Sequence, residues 1–446
     1  MPSLPNELWW SVLAHAVPFG GDLAMVKSSS EQLHPFFQGS SSGFSDAHFV
    51  STQFALWKRR NITVLNLMRV NRLWRGLAEP FLYSALYVVQ EWRLRKFIDN
   101  IKENPRQAEQ LRTLVVMPRF CTKDLTMPFC DRLVVQVLGL CHGVTAVVVE
   151  SHLLSSPLSL FQSPDSRRLR LLSALCLQNG EFSTFMVNFG NYASLQVLEL
   201  SVNNVEGDAL SSFPEHITLP SLHTLILGYL NPLALVIVRK WELPSLKELA
   251  IPRWNPILSM ALIPLIQQSY ERLERLDTCT DPFHDRSLYD IIRTPLIHLK
   301  NLTLGIAYST SRSPPTQLAV KPVFCHVVTL GICRIEWIMP EDMHAWIQFI
   351  SDPTYMPHLR SVWTDISNGR LELCLQASLP LLDVLRSFEE VLQARGVAFK
   401  GVTNDRSSFV PIKLLQRDSL EVSTLLFSHD SRLISVFSSQ DDNDHL

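Results

Sequence analysis

A short pattern recurs along the chain and decides the fold; it is clearest as LQVLEL (residues 195–200) and LHTLIL (residues 222–227). Both stretches follow the template Leu-x-x-Leu-x-Leu, in which valine or isoleucine sometimes replaces leucine. Ten copies begin between residues 111 and 359, with first positions 23–33 residues apart. The other copies begin at residues 111, 144, 172, 246, 273, 299, 327 and 359. One such unit cannot bury its apolar face alone, so the recurrence predicts stacked units that share one continuous core.

These units resemble leucine-rich repeats, which have 20–29 residues and combine a strand with a helix or an irregular turn. The family's asparagine, eight positions after the first leucine, is matched in one copy only, by Asn203. The resemblance implies an α/β fold, an irregular leucine-rich-repeat solenoid or horseshoe, with more helix than usual on its convex side. We assign residues 91–400 to this solenoid. A helix over 381–395, Gly396 and a short strand over 397–399 are its predicted C-terminal cap.

The composition disfavours several classes of protein. Of the 446 residues, 46% are hydrophobic, which excludes global disorder. The chain has only 16 glycines, whereas nucleotide-binding α/β enzymes need glycine where the backbone approaches phosphate. Its formal net charge of −2 makes a general nucleic-acid-binding role unlikely.

The cysteines and the N-terminus point to an intracellular protein. The eight cysteines show no short paired spacing, which is typical of reduced, buried thiols. Residues 1–8 carry no basic segment, so they do not form a secretory signal. The most apolar window, residues 133–149, is interrupted by polar residues and is short for a membrane span. We therefore expect a cytoplasmic or nuclear protein, or one found in both compartments, with no membrane partner.

Residues 1–90 resemble an F-box. The resemblance rests on LPNEL (residues 4–8) at the start of a predicted helix over 3–17, on LMRVNRLWR (residues 67–75), and on PFLY (residues 80–83). A Gly- and Ser-rich insertion at about 18–52 separates the first two segments. With the repeats behind it, the module resembles those of F-box proteins from mushroom-forming fungi. Apolar periodicity predicts two helices over 54–79, ended by Pro80, and another helix over 93–103.

The F-box resemblance implies an adaptor role without catalysis. Such proteins dock on a Skp-type adaptor, join a cullin–RING (SCF-type) ubiquitin ligase through it, and hold a protein substrate on their repeats. An alternative is a leucine-rich-repeat scaffold outside any ligase. A second alternative for the tryptophan-rich helices is internal packing against the repeats. The residues that the resemblance places against the adaptor are Leu4, Pro5, Leu8, Val70 and Trp74.

The near-zero net charge hides an uneven distribution. Residues 51–119 hold 13 basic and 5 acidic side chains, whereas residues 1–50 and 120–446 are both net acidic. Three interpretations stay open: complementarity to an acidic partner, contact with nucleic acid, and a solvated helix face.

The template also predicts a substrate surface. Its leucines point inward, so the residues that alternate with them line the concave face. An exposed tryptophan there would anchor a partner, although Trp363 could equally be a covered residue near the C-terminal cap. The predicted surface is mixed and slightly acidic, and no substrate identity follows from it. Its residues are Glu199, Glu248, Arg275, Asp277, Asn301, Trp363 and Asp365.

No motif predicts catalysis, a metal or a cofactor. GSSSG (residues 39–43) matches a nucleophile-elbow string but lies in a predicted loop rather than between a strand and a helix. Cys121, Cys130, Cys141 and His142 lack the two-residue separations of zinc sites, so we interpret these thiols as buried. Residues 401–446 are predicted to be a C-terminal extension with an acidic tail at 441–444.

Overall fold

The computed structural model describes most of the repeat region and the helices that precede it. The predicted helix 3–17, the insertion at 18–52 and most of the C-terminal extension lie outside the described residues. The structure describes residues 61–88, 90–116, 131–149, 160, 162–177, 179–188, 190, 192–202, 217–251, 256–278, 298–305, 324–333, 340–367, 379–402 and 409–411.

The described residues form a mixed α/β structure with one 13-stranded sheet and a small two-stranded sheet. In the large sheet every neighbouring pair is parallel except the last, which joins residues 398–402 to residues 409–411. Its strands are β1 (Ala85–Val88), β2 (Thr113–Val116), β3 (Ala146–Val149), β4 (Leu171–Leu177), β5 (Val197–Val202), β7 (Thr224–Leu230), β9 (Glu248–Ile251), β10 (Arg275–Thr278), β11 (Asn301–Gly305), β12 (Thr329–Cys333), β13 (Ser361–Ser367), β14 (Ala398–Val402) and β15 (Phe409–Pro411). The two-stranded sheet pairs β6 (Ile217–Thr218) with β8 (Trp241–Glu242).

Helices connect many of the strands, as parallel strands require crossover connections. A 3-10 helix, Pro164–Arg168, precedes β4. The α-helices are α1 (residues 61–70), α2 (Arg72–Tyr83), α3 (Glu91–Glu103), α4 (Pro105–Gln110), α5 (Asp131–Leu140), α6 (Asn179–Asn188), α7 (Pro232–Val238), α8 (Pro256–Ser269), α9 (Pro340–Ser351) and α10 (Leu379–Ala394).

The strand register places the middle apolar residue of every copy in one row across the sheet. The ten members contributed by the repeats are at most 1% exposed. This arrangement is that expected for stacked repeats, and it is compatible with a leucine-rich-repeat-like solenoid. The row runs through Leu114, Val147, Leu172, Leu198, Leu225, Leu249, Leu276, Leu302, Leu330 and Val362.

One copy of the template begins three residues earlier than predicted. Leu172 pairs with Val147 and Leu198, which are both middle residues, so the first position of this copy is Leu169. Leu169 is fully buried, and the spacings to the neighbouring copies become 25 and 26 residues instead of 28 and 23. The prediction that Leu172 begins the copy is therefore wrong. The chain has leucine at 169, 171, 172, 175 and 177, so leucine spacing alone permits both registers.

A tight turn precedes most copies. The backbone N–H of the first template residue donates to the carbonyl three residues earlier, as from Val144 to Cys141 (3.0 Å) and from Leu195 to Tyr192 (2.9 Å). The residue that supplies this carbonyl is buried, so each of these seven units has one more core position than the template includes. The residues at this position are Cys141, Ser166, Tyr192, Leu219, Leu243, Phe324 and Met356.

The two helices predicted before the repeats are present as α1 and α2. Asn71 separates them and caps α2, because its side-chain oxygen accepts a hydrogen bond from the backbone N–H of Trp74 (2.9 Å). Pro80 does not end the second helix as predicted, since α2 continues through it to Tyr83. The helix predicted over 93–103 is confirmed as α3.

Only Ser84 separates α2 from β1. Its hydroxyl donates to the carbonyl of Phe81 (3.0 Å), and its own carbonyl accepts from the backbone amides of Arg112 (2.9 Å) and Thr113 (3.1 Å). The sheet therefore starts directly at the end of α2, inside the range 1–90 assigned to the N-terminal module.

At the C-terminal end of the repeats, α10 and Gly396, with φ of +68°, confirm the predicted helix and its glycine terminus.

Arg168 ties α5 to the repeat that follows it. Its guanidinium donates to the carbonyls of Leu138, Cys141 (3.1 Å) and Val144 (3.3 Å), which lie at or just beyond the C-terminus of α5. Asp165 holds the same side chain by an ion pair of 2.8 Å. One cation therefore satisfies carbonyls that the helix leaves without intrahelical partners.

Replacing Arg168 by Met should lower the free energy of unfolding by about 2 kcal/mol, because several carbonyls lose a charged donor. Arg167→Met is the matched control, since Arg167 is the exposed neighbour in the same 3-10 helix. Urea denaturation followed by circular dichroism measures both variants. Equal unfolding midpoints would contradict the role assigned to Arg168.

Candidate functional site

The first candidate surface is an apolar face on α1 and α2, formed by Ile62, Leu65, Val70 and Leu73. Their exposed fractions lie between 42% and 61%, and Val70 is the most exposed of them. Four large apolar side chains within twelve residues are more than the scattered exposure common on soluble proteins. We call this set the α1–α2 apolar face.

Trp74 follows Leu73 in the sequence and is only half-buried. It packs against a small cluster formed between the two helices by Val64, Leu77, Ala78 and Phe81. Of the predicted adaptor residues, Val70 is therefore exposed and Trp74 also serves internal packing, whereas Leu4, Pro5 and Leu8 lie outside the described residues. On the same two helices, Arg69, Arg72 and Arg75 are all exposed.

The second candidate surface is a polar network on the sheet, at positions that alternate with the buried leucines. On β10, Arg275 pairs with Asp277 at 2.6 Å, and both side chains are almost fully buried. Thr303 of β11 donates its hydroxyl hydrogen to the other carboxylate oxygen of Asp277. Paired charges tolerate burial far better than isolated ones, so this network is stable only as a unit.

Glu248 of β9 extends this network toward β7. Thr224 donates its hydroxyl hydrogen to the Glu248 carboxylate (3.0 Å), and Nδ1 of His223 lies 2.9 Å from the same hydroxyl oxygen. Because that hydroxyl has one hydrogen, Nδ1 of His223 is the donor in the second contact. Burial raises the pKa of Glu248, although the Arg275 charge and the Thr224 hydrogen bond oppose the shift. Burial also lowers the pKa of His223, and the charge of Lys247 adds to this effect.

The remaining predicted substrate residues are spread over the sheet. Glu199 on β5 is half-buried and accepts a hydrogen bond from the Ser173 hydroxyl of β4. Asn301 opens β11 and is half-buried, and Asp365 belongs to β13. The structure brings Glu248, Arg275 and Asp277 together on adjacent strands but leaves Glu199 two strands from Glu248. Their role in binding a substrate stays a prediction.

Trp363 is 5% exposed and lies across the neighbouring strand rather than projecting from the sheet. A Cβ atom placed on Gly331 of β12 would overlap Cζ2 of the indole and lie 2.6 Å from its Cε2. The indole therefore occupies the space that Gly331 leaves open. The burial of Trp363 agrees with the alternative that it is a covered residue near the C-terminal cap. It does not agree with the alternative that Trp363 is an exposed anchor for a partner.

Sequence reasoning missed Thr224, Thr303 and Gly331, which occupy the same alternating positions as the predicted residues. Their register partners are Glu248 for Thr224, Asp277 for Thr303 and Trp363 for Gly331. Aligning the copies and listing their third and fifth positions would have found all three.

Two further features bear on chemistry. Burial raises the pKa of the Cys141 thiol to about 11, against a weaker opposing effect of the Arg168 charge. Cys121 and Cys130, which we also interpreted as buried thiols and not as zinc ligands, lie outside the described residues. Within the described ranges, no group of three or more His, Cys, Asp or Glu side chains is arranged to hold a metal ion.

No helix among the described residues is both long and apolar enough to cross a membrane.

Comparison with known proteins finds a distant structural likeness to a leucine-rich-repeat protein. No family model and no curated protein matches the chain. Among solved structures, the leucine-rich repeat-containing protein LegL7 from Legionella pneumophila is similar over 74% of this chain and 92% of its own, with 14% identity and a TM-score of 0.36. At that TM-score the likeness is loose, and the description of the fold rests on the strand register.

Glu248→Gln should change how stability depends on pH. A carboxyl whose folded-state pKa is raised contributes stability that is complete below its ordinary pKa of 4.5 and is lost as pH rises through the folded pKa. The variant should therefore gain stability relative to wild type as pH rises from about 4.5 toward neutrality. Urea denaturation at a series of pH values measures this difference.

Glu274→Gln is the matched control with the opposite sign. Burial alone would raise the pKa of Glu274, but the hydrogen bonds and charges of Lys300 and Lys247 outweigh it and lower the pKa. Its contribution is present above the ordinary pKa and is lost as pH falls through the folded pKa, so this variant should lose stability relative to wild type as pH rises. Parallel pH profiles for the two variants would contradict the assigned environments.

Gly331→Ala should lower the free energy of unfolding by about 1–3 kcal/mol, because the new methyl group overlaps the indole of Trp363. In a Trp363→Leu background the same substitution should cost less, since the smaller side chain can move away. A double-mutant cycle by urea denaturation measures the coupling between the two positions. Additive effects would show that the indole does not occupy this space.

Proposed function

We propose that this chain is a non-catalytic, substrate-recruiting subunit of an SCF-type ubiquitin ligase. In this proposal the α1–α2 apolar face docks on a Skp-type adaptor, the adaptor joins a cullin, and the repeat sheet holds a protein substrate. The protein would work in the cytoplasm, the nucleus or both, and would raise the effective concentration of its substrate near the ligase.

The observation that carries the proposal is the exposure of the α1–α2 apolar face. Val70 comes from the segment that resembles an F-box, and it is the most exposed apolar residue of that face. Apolar anchors surrounded by polar residues are typical of protein interfaces. The exposed Arg69, Arg72 and Arg75 favour a partner with an acidic surface, because complementary charge speeds association.

The repeats support the second half of the proposal. Stacked repeats build an extended surface whose outward residues can vary without disturbing the leucine core. In this chain Glu199, Glu248 and Asn301 are half-buried at those positions, whereas Arg275, Asp277 and Trp363 are buried beside them. Such a surface suits recognition of a protein.

The test compares Val70→Asp with wild type in co-purification with a Skp-type adaptor from a mushroom-forming fungus. Placing a carboxylate at the centre of an apolar interface should weaken binding by roughly a hundredfold, about 3 kcal/mol. Trp74→Ala is a poorer probe, because Trp74 also packs on the internal cluster.

Val187→Asp is the matched control, since Val187 is a 66% exposed valine on α6, remote in sequence from the α1–α2 apolar face. It should bind the adaptor as wild type does. No binding by the wild-type chain, or equal binding by all three proteins, would refute adaptor docking through this face. Adaptor binding without recruitment of a cullin would instead favour a leucine-rich-repeat scaffold outside any ligase.

A further inference from the structure

Three histidines precede three successive strands, each by three residues. His298, His326 and His358 each stand immediately before the first template residue of their copy, and all three are exposed. The imidazole rings of His326 and His358 stack, with centroids 6.5 Å apart and planes inclined by 21°. Because the positions are equivalent, the repeat brings all three histidines to the lining of one pocket.

A second set of residues lies two positions further along each copy. It consists of Lys300, Val328 and Arg360, whose backbones are joined by hydrogen bonds from Val328 to the carbonyl of Lys300 and from Arg360 to that of Val328, each 2.8 Å long. Both cationic side chains of this set are exposed. The two sets line a groove of about 550 Å³, here called the histidine groove.

The histidine groove favours a negatively charged ligand. Its lining consists of His298, Lys300, His326, Val328, His358 and Arg360, and none of these side chains is acidic. The carboxylate that contacts Lys300 is that of Glu274 (3.2 Å), which is shared with Lys247 (3.3 Å). Imidazole N–H groups, guanidinium and ammonium are all donors to carboxylate oxygens.

The spacing of the rings indicates the shape of this ligand. An extended peptide rises 3.2–3.4 Å per residue and points alternate side chains to the same side, so same-side residues repeat about every 6.6 Å. This repeat matches the 6.5 Å between the rings of His326 and His358. A peptide that runs across the strands can therefore place one acidic side chain against each of these two histidines.

We propose that the histidine groove binds an extended acidic segment of a partner protein, with Asp or Glu at alternating positions. The imidazoles donate to successive carboxylates, while Lys300 and Arg360 supply positive charge along the edge. This proposal is independent of adaptor docking, because it concerns the opposite end of the repeat sheet from α1 and α2.

Fluorescence anisotropy with the full-length protein and a fluorescein-labelled alternating Glu-Ser peptide of about twelve residues tests the proposal. A variant with His326→Ser, His358→Ser and Arg360→Ser should bind the peptide about tenfold more weakly than wild type. Arg239→Ser with Lys240→Ser is the control, since both are exposed cations in a turn after α7. Equal affinity of wild type and the groove variant would overturn the proposal.

Two further ligands test the geometry and the ligand class. A peptide of the same composition with all its glutamates in one block should bind more weakly, and equal binding would overturn the match in spacing. Single-stranded oligouridylate should not compete with the alternating peptide. If the RNA bound more tightly than the alternating peptide, and if the groove variant lost this RNA binding, the proposal would be overturned in favour of a nucleic-acid site.

A charge-reversal variant guards against loss of binding through unfolding. His326→Glu with His358→Glu should lose the Glu-Ser peptide and gain binding of an alternating Lys-Ser peptide. A gain cannot result from a damaged fold. Loss of the first peptide without any gain of the second would count against a direct contact between these side chains and the ligand.

Discussion

The structure depends on the parallel backbone hydrogen bonding that holds successive repeats in register. Each strand aligns its middle apolar residue with those of both neighbours, so that one buried row runs from Leu114 to Val362. A repeat cannot slip by one residue without turning its leucines outward. This constraint also lines up every other position, which produces the polar network around Asp277 and the histidine groove from equivalent places in different repeats.

Much of the fold could be predicted because leucine spacing reflects that register. The helices around Trp74, the helix before Gly396 and the strands at nine of the ten copies follow from periodicity and terminal residues. The copy at Leu169 was misplaced because a leucine-dense stretch satisfies the template twice, and only pairing with β3 and β5 selects one register. Pro80 was expected to end the second helix, but α2 continues through it to Tyr83.

The candidate surfaces were less predictable than the fold. Alternation correctly placed Glu248, Arg275 and Asp277 on one side of the sheet, but exposure depends on neighbours about 25 residues away in the chain. Asp277 is fully buried because Arg275 and Thr303 surround its carboxylate, and Trp363 is buried because the next strand has glycine opposite it. The histidine groove has no local motif, since its members are 28 and 32 residues apart.

The single-residue junction at Ser84 has a mechanical consequence. A flexible linker would let the helices and the repeats sample many separations, with a spread that grows with linker length. Here the carbonyl of Ser84 is bonded to two amides of the next repeat, so α2 and the first strand move together. A protein held on the helices and a protein held on the sheet would be kept at a separation set by the number of intervening repeats. The chain would then hold its two partners at a fixed distance instead of a variable one.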